Sequence, residues 1–326
     1  MSSRPGVEAI ELARAAAALW WDEPVDLQFV AGRENQVFRA RHASGDFALR
    51  IKRPGYRQRA ELLSELNWMA ALGAAGLRVP TPQPSRQGRR LEAVNGQWVD
   101  VLSWMPGDSL GERLSNCSES DALAWFAGLG EHMAQLHRAS DAWVKPPDFS
   151  RVAWDLKGLL GDTPLWGAFW AHPHLSPDDQ ALFERFRTRA AERLLAIHPS
   201  LDCGLIHADL VKENVLIDQD GRMGLLDFDD GGWGYRVFDL ATALLKFTDS
   251  PHFAARQAAL LKGYQGVRAI EVAALPLFMA LRAVTYVGWV VPRLGEPGAL
   301  ARSERFIRVA RQMCVAELEH KFGAGA

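Results

Sequence analysis

The stretch from Leu205 to Leu240 limits the possible fold more than any other part of this chain. Two short apolar runs within it predict β-strands. The segment between them, Asp218 to Gly221, predicts a turn, because Asp and Gly accept tight backbone angles. Polar residues stand beside these runs, namely Asp209, Asn214 and Asp227. We therefore expect two strands joined by a turn to hold these three side chains near one another.

This set of two carboxylates and one amide suits a particular chemistry. Carboxylate and amide oxygens are ligands that suit Mg²⁺, which keeps much of its water and is completed by phosphate oxygens. A carboxylate left off the metal can accept a proton from an attacking hydroxyl. The alternative is a surface hairpin with solvated acids, and it is disfavoured because several spacings agree at once.

The same stretch carries a resemblance. The pattern His207-x-Asp209-x-x-x-x-Asn214, followed by Asp227-Phe228, resembles the catalytic loop and metal-binding strand of the protein-kinase-like phosphotransferases. Protein kinases usually have Arg where Ala208 stands and Gly where Asp229 stands. Both departures resemble the aminoglycoside phosphotransferase and choline kinase family, and the likeness covers most of the chain.

The resemblance implies roles for these residues. Asp209 would be the catalytic base, Asn214 and Asp227 would hold Mg²⁺, and ATP would donate the phosphoryl group. Asp229 would assist the metal or bind the acceptor, and the sequence does not choose between the two. Asp239, at the head of a predicted helix, would support the catalytic loop rather than take part in the chemistry.

Length and composition fit a soluble protein of about two domains. The chain has 326 residues, 48% of them hydrophobic and 23% charged, and its net charge of −2 argues against nucleic acid as a partner. Three widely spaced cysteines predict no disulfide framework and favour the cytoplasm. The N-terminus lacks the pattern of a signal peptide, and the apolar run Val272 to Val291 predicts a buried helix rather than a membrane span.

The first third of the chain reads as strands around one helix. Residues 31–35 form a break that matches the nucleotide-covering loop of the family, with Asn35 as its phosphate-side residue; a plain hairpin is the alternative. In the strand Asp46 to Lys52, the spacing Ala48-x-Arg50 resembles the kinase pattern of a small residue followed by a phosphate-binding cation. Arg50 is therefore the candidate for holding phosphates, and Lys52 is the alternate. The non-functional alternative is that Arg50 is simply a solvated arginine on a strand.

A helix and a connector complete this lobe. Arg59 to Ala75 has an apolar stripe typical of a helix, and the resemblance implies that Glu65 orients the strand cation, with Glu61 as the fallback. The segment around Ser103 and Met105 resembles the hinge whose backbone groups bind adenine. The lobes would then be residues 1–104 and 105–326, with ATP in the cleft between them.

The rest of the chain predicts mostly helices, so the expected fold is α+β and bilobal, with an N-terminal antiparallel sheet and a mainly helical C-terminal lobe. Arg282 and Tyr286, one turn apart on an apolar helix, are candidates for touching the acceptor. A buried ion-pair partner is an equal alternative for Arg282.

The acceptor is expected to be a small-molecule alcohol such as an aminoglycoside, homoserine, choline or a sugar. Only twelve positions separate Asp227 from Asp239, too few for the long activation segment of a regulated protein kinase. The alternatives are a Ser/Thr protein kinase of the bacterial stress-response type and a catalytically silent nucleotide-binding module.

Overall fold

The structure is a computed structural model, and it describes residues 6–32 and 34–319. Arg33, in the predicted nucleotide-covering loop, lies outside the described residues. The chain forms two compact units. The first contains the chain up to Ser115 together with 142–151 and 213–229, and the second contains 116–141, 152–212 and the chain from Asp230 onward.

The first unit is built on an antiparallel sheet of five strands in the order β1-β2-β3-β5-β4. These strands are β1 (Asp26–Ala31), β2 (Gln36–His42), β3 (Gly45–Ile51), β4 (Glu92–Val94) and β5 (Gln97–Ser103). Asn95 and Gly96 join β4 to β5, and both have positive φ, as a two-residue hairpin turn requires. Antiparallel pairing places Arg50 of β3 opposite Asp100 of β5.

Three helices and a second, smaller sheet complete the first unit. The helices are α1 (Val7–Ala17), α2 (Arg59–Ala74) and α3 (Leu110–Leu114). The small sheet has the order β10-β9-β6, with β6 (Asp108–Ser109), β9 (Val215–Ile217) and β10 (Met223–Leu225). Strands β9 and β10 are the two strands and turn that the central stretch of the sequence predicted.

The second unit is mainly helical. Its helices are α4 (Glu119–Ala142), α5 (Leu156–Leu160), α6 (Pro177–Ile197), α7 (Arg236–Leu245), α8 (Phe253–Gln265), α9 (Leu275–Val290) and α10 (Ala299–Glu319). A three-stranded sheet of β7 (Ala153–Trp154), β11 (Gly232–Tyr235) and β8 (Cys203–Ile206) packs among them, with β11 in the middle.

Helix α9 lies at the centre of the second unit. With the short turn after it, Leu275–Arg293 is apolar and long enough to cross a membrane, but most of it is buried within the protein. This is the core helix that the sequence predicted. Pro276 stands in its first turn, where a missing N–H costs nothing.

The α+β fold class is confirmed, with an antiparallel sheet in one unit and helices in the other. The boundary between residues 104 and 105 stays a prediction. The hairpin of β9 and β10 belongs to the first unit although it comes late in the sequence, because strand β9 pairs with β6.

Candidate active site

The segment after strand β8 carries the predicted base, and Asp239 holds its backbone. Asp239 Oδ2 accepts a hydrogen bond from His207 N at 2.8 Å, and Oδ1 accepts one from Ala208 N at 2.7 Å. Ala208 has a φ of 64°, in the left-handed region that favours glycine. Bonds from amides to a carboxylate are strong and offset the cost of this bend. Asp239 therefore supports the loop structurally, as the resemblance implied.

A buried histidine stands behind this carboxylate. His137 Nε2 lies 3.1 Å from Asp239 Oδ2, and its Nδ1 lies 2.7 Å from the Tyr264 hydroxyl. Burial, reinforced by the positive charge of Arg236, lowers the pKa of His137 to about 4. The neutral ring thus donates from Nε2 to Asp239 and accepts from Tyr264. His137 therefore orients Asp239, the residue that supports the loop.

Asp209 is paired with the arginine that was a candidate for the acceptor site. Arg282 Nη2 donates to Asp209 Oδ1 at 2.7 Å and to the Tyr286 hydroxyl at 3.0 Å. The Asp209 side chain is 23% exposed, whereas that of Arg282 is fully buried. Of the two roles left open for Arg282, the geometry therefore favours the buried ion-pair partner.

Asn214 and Asp227 stand at the two open ends of the hairpin of β9 and β10. Leu226 N donates to Asn214 O at 2.8 Å, which brings these ends together. Asp227 has a φ of 62°, a second non-glycine residue in the left-handed region. Such backbone conformations concentrate at functional sites.

The donor set of these two residues fits Mg²⁺. No group of three or more His, Cys, Asp or Glu that could hold a metal ion exists among the described residues. A full protein cage is not what Mg²⁺ uses, since it takes one or two carboxylates and completes its shell with water and substrate phosphates. One carboxylate and one amide oxygen therefore suit a metal that arrives with a nucleotide.

The predicted phosphate-binding cation belongs to a buried charge cluster in the first unit. Arg50 Nη1 donates to Glu65 Oε1 at 2.8 Å, while its Nε and Nη2 donate to the two oxygens of Asp100 at 2.7 and 3.1 Å. Lys52 Nζ lies 3.1 Å from Glu65 Oε2 and 3.4 Å from Asp100 Oδ2. Glu65 thus orients two cations, Arg50 in strand β3 and Lys52 directly after it.

Electrostatics in this cluster favour the charged forms of Glu65 and Arg50. Burial opposes a charge on Glu65, but Arg50 and Lys52 hold the pKa of its carboxyl well below the usual range. Burial also opposes the charge on Arg50, and Asp100 with Glu65 raises its pKa nonetheless. Glu61, the fallback for Glu65, instead accepts a hydrogen bond from Gln58 N at the start of α2.

Asp229 faces this cluster. Its Oδ1 lies 3.7 Å from Lys52 Nζ, and the residue is buried. The backbone on either side is held by Arg151, whose Nη2 donates to Phe228 O at 2.9 Å and to Asp229 O at 2.6 Å. Arg151 Nη1 also donates to Glu61 O on helix α2, at 3.0 Å. The segment that follows Asp227 is therefore tied to α2, the helix that carries Glu65.

The remaining nucleotide-side candidates also lie in the first unit. Asn35 Oδ1 accepts a hydrogen bond from Arg53 N at 3.1 Å, which ties the loop to the segment just after β3. Ser103 N donates to Thr81 O at 2.8 Å, so its N–H is used within the fold. The Cε methyl of Met105 packs closely against Gly224 of β10, where a Cβ atom would collide with it.

Sequence reasoning missed Asp100 and Arg151. Asp100 had one signal, since it is an acid within the apolar run Val99 to Leu102, and an acid in a buried strand usually has a partner. Arg151 lies in an irregular segment without periodicity, so no local pattern marked it. Both are found only through the partners that folding brings to them.

These features together define a class of protein. The second unit has a predicted base on a loop held by Asp239. The first unit has an Asn and Asp pair at a hairpin and a strand cation oriented by Glu65. These are the parts that a kinase-like phosphotransferase uses.

The chain belongs to the phosphotransferase enzyme family, whose model matches residues 26–270. It is therefore an ATP-dependent enzyme that phosphorylates an alcohol group, and the predicted family resemblance is confirmed.

The chain is also similar to individual kinases within and around this family. It is 30% identical to a homoserine kinase of Gluconobacter oxydans over 275 residues, which cover 78% of each chain. The structure of a microcompartment-associated aminopropanol kinase is similar with a TM-score of 0.82 and 27% identity, covering 95% of this chain and 98% of that one. An amicoumacin kinase in complex with AMP-PNP, Ca²⁺ and Ami shares the fold, with a TM-score of 0.74, 23% identity and 94% coverage of both chains.

Proposed function

We propose that this enzyme moves the γ-phosphoryl group of ATP to the hydroxyl of a small amino alcohol, with homoserine and aminopropanol as the first candidates. The homoserine kinase and the aminopropanol kinase reported above support this choice. A polycationic aminoglycoside is disfavoured, because the buried charge of Arg282 offsets that of Asp209. Choline and a sugar are weaker candidates, since neither is named among those two relatives.

The observation that supports a small-molecule acceptor is the short stretch of sequence between Asp227 and Asp239. Strand β11 and the first turn of helix α7 occupy this interval. A protein kinase needs a long activation segment here to bind a peptide, and this chain has regular structure in its place. A protein acceptor is therefore disfavoured.

The roles follow from the positions of the side chains. Asp209 orients the acceptor hydroxyl and takes its proton as the new O–P bond forms. The bond from the γ-phosphorus to the bridging oxygen breaks, and ADP leaves with that electron pair. Most of the rate enhancement comes from positioning and from neutralising charge, because phosphoryl transfer needs little covalent help from the protein.

Asn214 and Asp227 would hold Mg²⁺, which would neutralise phosphate charge when it is bound with ATP. Arg50, oriented by Glu65, would hold the phosphates, and its planar fork allows two parallel contacts. Asn35 would approach the phosphates from the preceding loop. The backbone of Ser103 and Met105 would bind the adenine edge, Ser103 through its carbonyl.

Two further proposals concern the whole protein. We propose that residues 1–104 bind the nucleotide and that residues 105–326 carry the acceptor site. We also place the enzyme in the cytoplasm, because three widely spaced cysteines predict no disulfide framework.

The decisive experiment measures ADP release from Mg-ATP over a panel of acceptors. The panel contains homoserine, aminopropanol, choline, a sugar, an aminoglycoside and a generic protein, with Asp209→Asn as the blank. We expect homoserine or aminopropanol to rise above the blank, and chelation of Mg²⁺ to abolish the signal. In a parallel assay with γ-labelled ATP, transfer of the labelled phosphate to the protein acceptor alone would overturn the proposal in favour of a protein kinase. ATP binding without turnover on any acceptor would favour the silent module.

A further inference from the structure

Helix α9 places one charged side chain in the apolar centre of the second unit. Arg282 is fully buried, and its neighbours on the helix are almost all apolar. Its Nη2 donates to Asp209 Oδ1 at 2.7 Å and to the Tyr286 hydroxyl at 3.0 Å. The only carboxylate in hydrogen-bond contact with Arg282 among the described residues is thus the proposed catalytic base.

Aromatic rings fix the plane of this guanidinium. Arg282 Cζ lies 4.4 Å from the ring centroids of both Trp166 and Tyr286, and 5.6 Å from that of Phe238. The rings are themselves braced, since Tyr286 stacks on Phe306 with an interplanar angle of 15°. An arginine held in this way has almost no freedom to swing.

Two glycines permit this enclosure. A Cβ atom at Gly288 of α9 would collide with the carbonyl oxygen of Gly167. Gly167 also has a φ of 94°, which other residues rarely adopt. The segment that carries Trp166 can therefore lie directly on α9, and its ring reaches Arg282.

The arrangement is unfavourable for stability alone. Arg282 Nε and Nη1 are buried without a hydrogen-bond partner among the described residues. Burial opposes the charge, and Tyr286 and Asp209 raise the pKa of Arg282 against it. An apolar side chain of similar volume would fill the same space without these costs. Asp209, the carboxylate contact of Arg282, links this buried charge to the proposed reaction.

The exposure of the pair decides what that role is. The Asp209 side chain is 23% exposed and Arg282 is not exposed at all, so an acceptor can reach Asp209 but not the arginine. We propose that Arg282 is the positioning residue of Asp209, and that the Trp166 and Tyr286 rings hold it for that purpose. Asp239 fixes the loop through its amides, and Arg282 fixes the direction of the carboxylate. This inference rests on the proposed role of Asp209 as the base.

The test replaces Arg282 with Ala and measures kcat and both KM values with the acceptor identified by the panel. We expect kcat to fall by about a hundredfold, as for a misplaced catalytic group. The KM values for ATP and for the acceptor should stay within about threefold, because Arg282 touches neither in the proposed site. Arg311→Ala is the matched control, because it removes an arginine that donates to both carboxylate oxygens of Asp179 in the same unit and should keep kcat.

Chemical rescue separates positioning from a purely structural role. Arg282→Ala leaves space between two aromatic rings, and added guanidinium should restore much of kcat at a concentration that does not denature the protein. Urea has the same planar shape without the charge and should restore nothing. Equal rescue by both, or a raised acceptor KM with unchanged kcat, would overturn the inference.

Arg282→Lys covers the case in which the alanine variant does not fold. It keeps the charge but not the flat fork, so kcat should fall at least about tenfold while the circular dichroism spectrum stays native. Wild-type kcat in this variant would refute the role of Arg282. If Asp209→Asn itself keeps wild-type turnover, the proposed role of Asp209 fails instead, so the two failures are distinguishable.

Discussion

Asp100 holds Arg50 from the side, with Nε donating to Oδ1 at 2.7 Å and Nη2 donating to Oδ2 at 3.1 Å. The two residues are cross-strand partners on β3 and β5. This contact and the one to Glu65 engage three of the five N–H groups of the guanidinium. With Lys52 and Asp229 included, the cluster contains three acids and two bases. The positive charge of the neighbouring Arg151 balances this excess of one acid.

Asp100→Asn is expected to destabilise the protein strongly. Breaking a buried ion pair by removing one partner costs about 3–5 kcal/mol, because the remaining charge stays buried. The midpoint of urea unfolding measures the loss. Asp26→Asn is the control, since Asp26 pairs with Arg41 at the surface and exposed pairs contribute little. Equal midpoints for the two variants would show that Arg50 does not depend on Asp100.

Arg50→Met should weaken ATP binding more than Lys52→Met does. Three carboxylates lie within 4 Å of the Lys52 ammonium, which has only three N–H groups. Arg50 has two N–H groups beyond those engaged by Asp100 and Glu65, and in the proposed site these would donate to phosphate oxygens. We expect the Kd for ATP to rise about tenfold or more in Arg50→Met, on the scale of a lost charge-assisted bond, and clearly less in Lys52→Met. Calorimetric titration with a non-hydrolysable ATP analogue measures both, and the reverse order would assign the phosphates to Lys52.

Asp209→Asn should lower turnover by about a hundredfold or more, as expected for a lost general base, and leave ATP affinity nearly intact. The amide keeps the size of the side chain but cannot take the proton. Asp220→Asn is the matched control, because Asp220 is an exposed acid in the turn between β9 and β10. Steady-state ADP release checks both variants, and wild-type-like turnover in Asp209→Asn would remove that residue from the role.

His137 predicts a pH dependence of stability. Its pKa is about 4 in the folded protein and 6.5 in the reference state, so the unfolded chain binds an extra proton between these values. The stability from the neutral buried ring is complete above pH 6.5 and is lost as pH falls towards about 4. The full loss is about 3 kcal/mol on this scale.

His137→Gln should flatten this dependence, because glutamine has no titration in that range. Free energies of unfolding at several pH values between 5 and 7 provide the measurement. His252→Gln, at an exposed position, should keep the wild-type slope. Parallel slopes in the wild type and His137→Gln would mean that other groups dominate the acid sensitivity.

Local patterns were sufficient for the elements around the site. The hairpin of β9 and β10 and the turn at Asn95 and Gly96 follow from apolar runs broken by turn residues. Helix α2 and the choice of Glu65 over Glu61 followed from an apolar stripe and a resemblance. Each of these depends on neighbours along the chain, so a reading of nearby residues could find it.

The partners of the charged residues were beyond such a reading. Arg282 lies 73 positions from Asp209, and Arg151 lies 78 positions from Asp229. Sequence left Arg282 as either an acceptor contact or an ion-pair partner, and burial of its side chain in the folded unit favours the second.

The sequence by itself determined the family, the reaction class and the residue types that carry the chemistry, because these depend on a motif whose parts lie close together along the chain. Only the tertiary structure decided which distant side chain meets which charge, since pairs such as Arg50 with Asp100 depend on strand register and Arg282 with Asp209 on helix packing. A buried charge is stabilised by its nearest partner in space, and that partner is chosen by the whole fold.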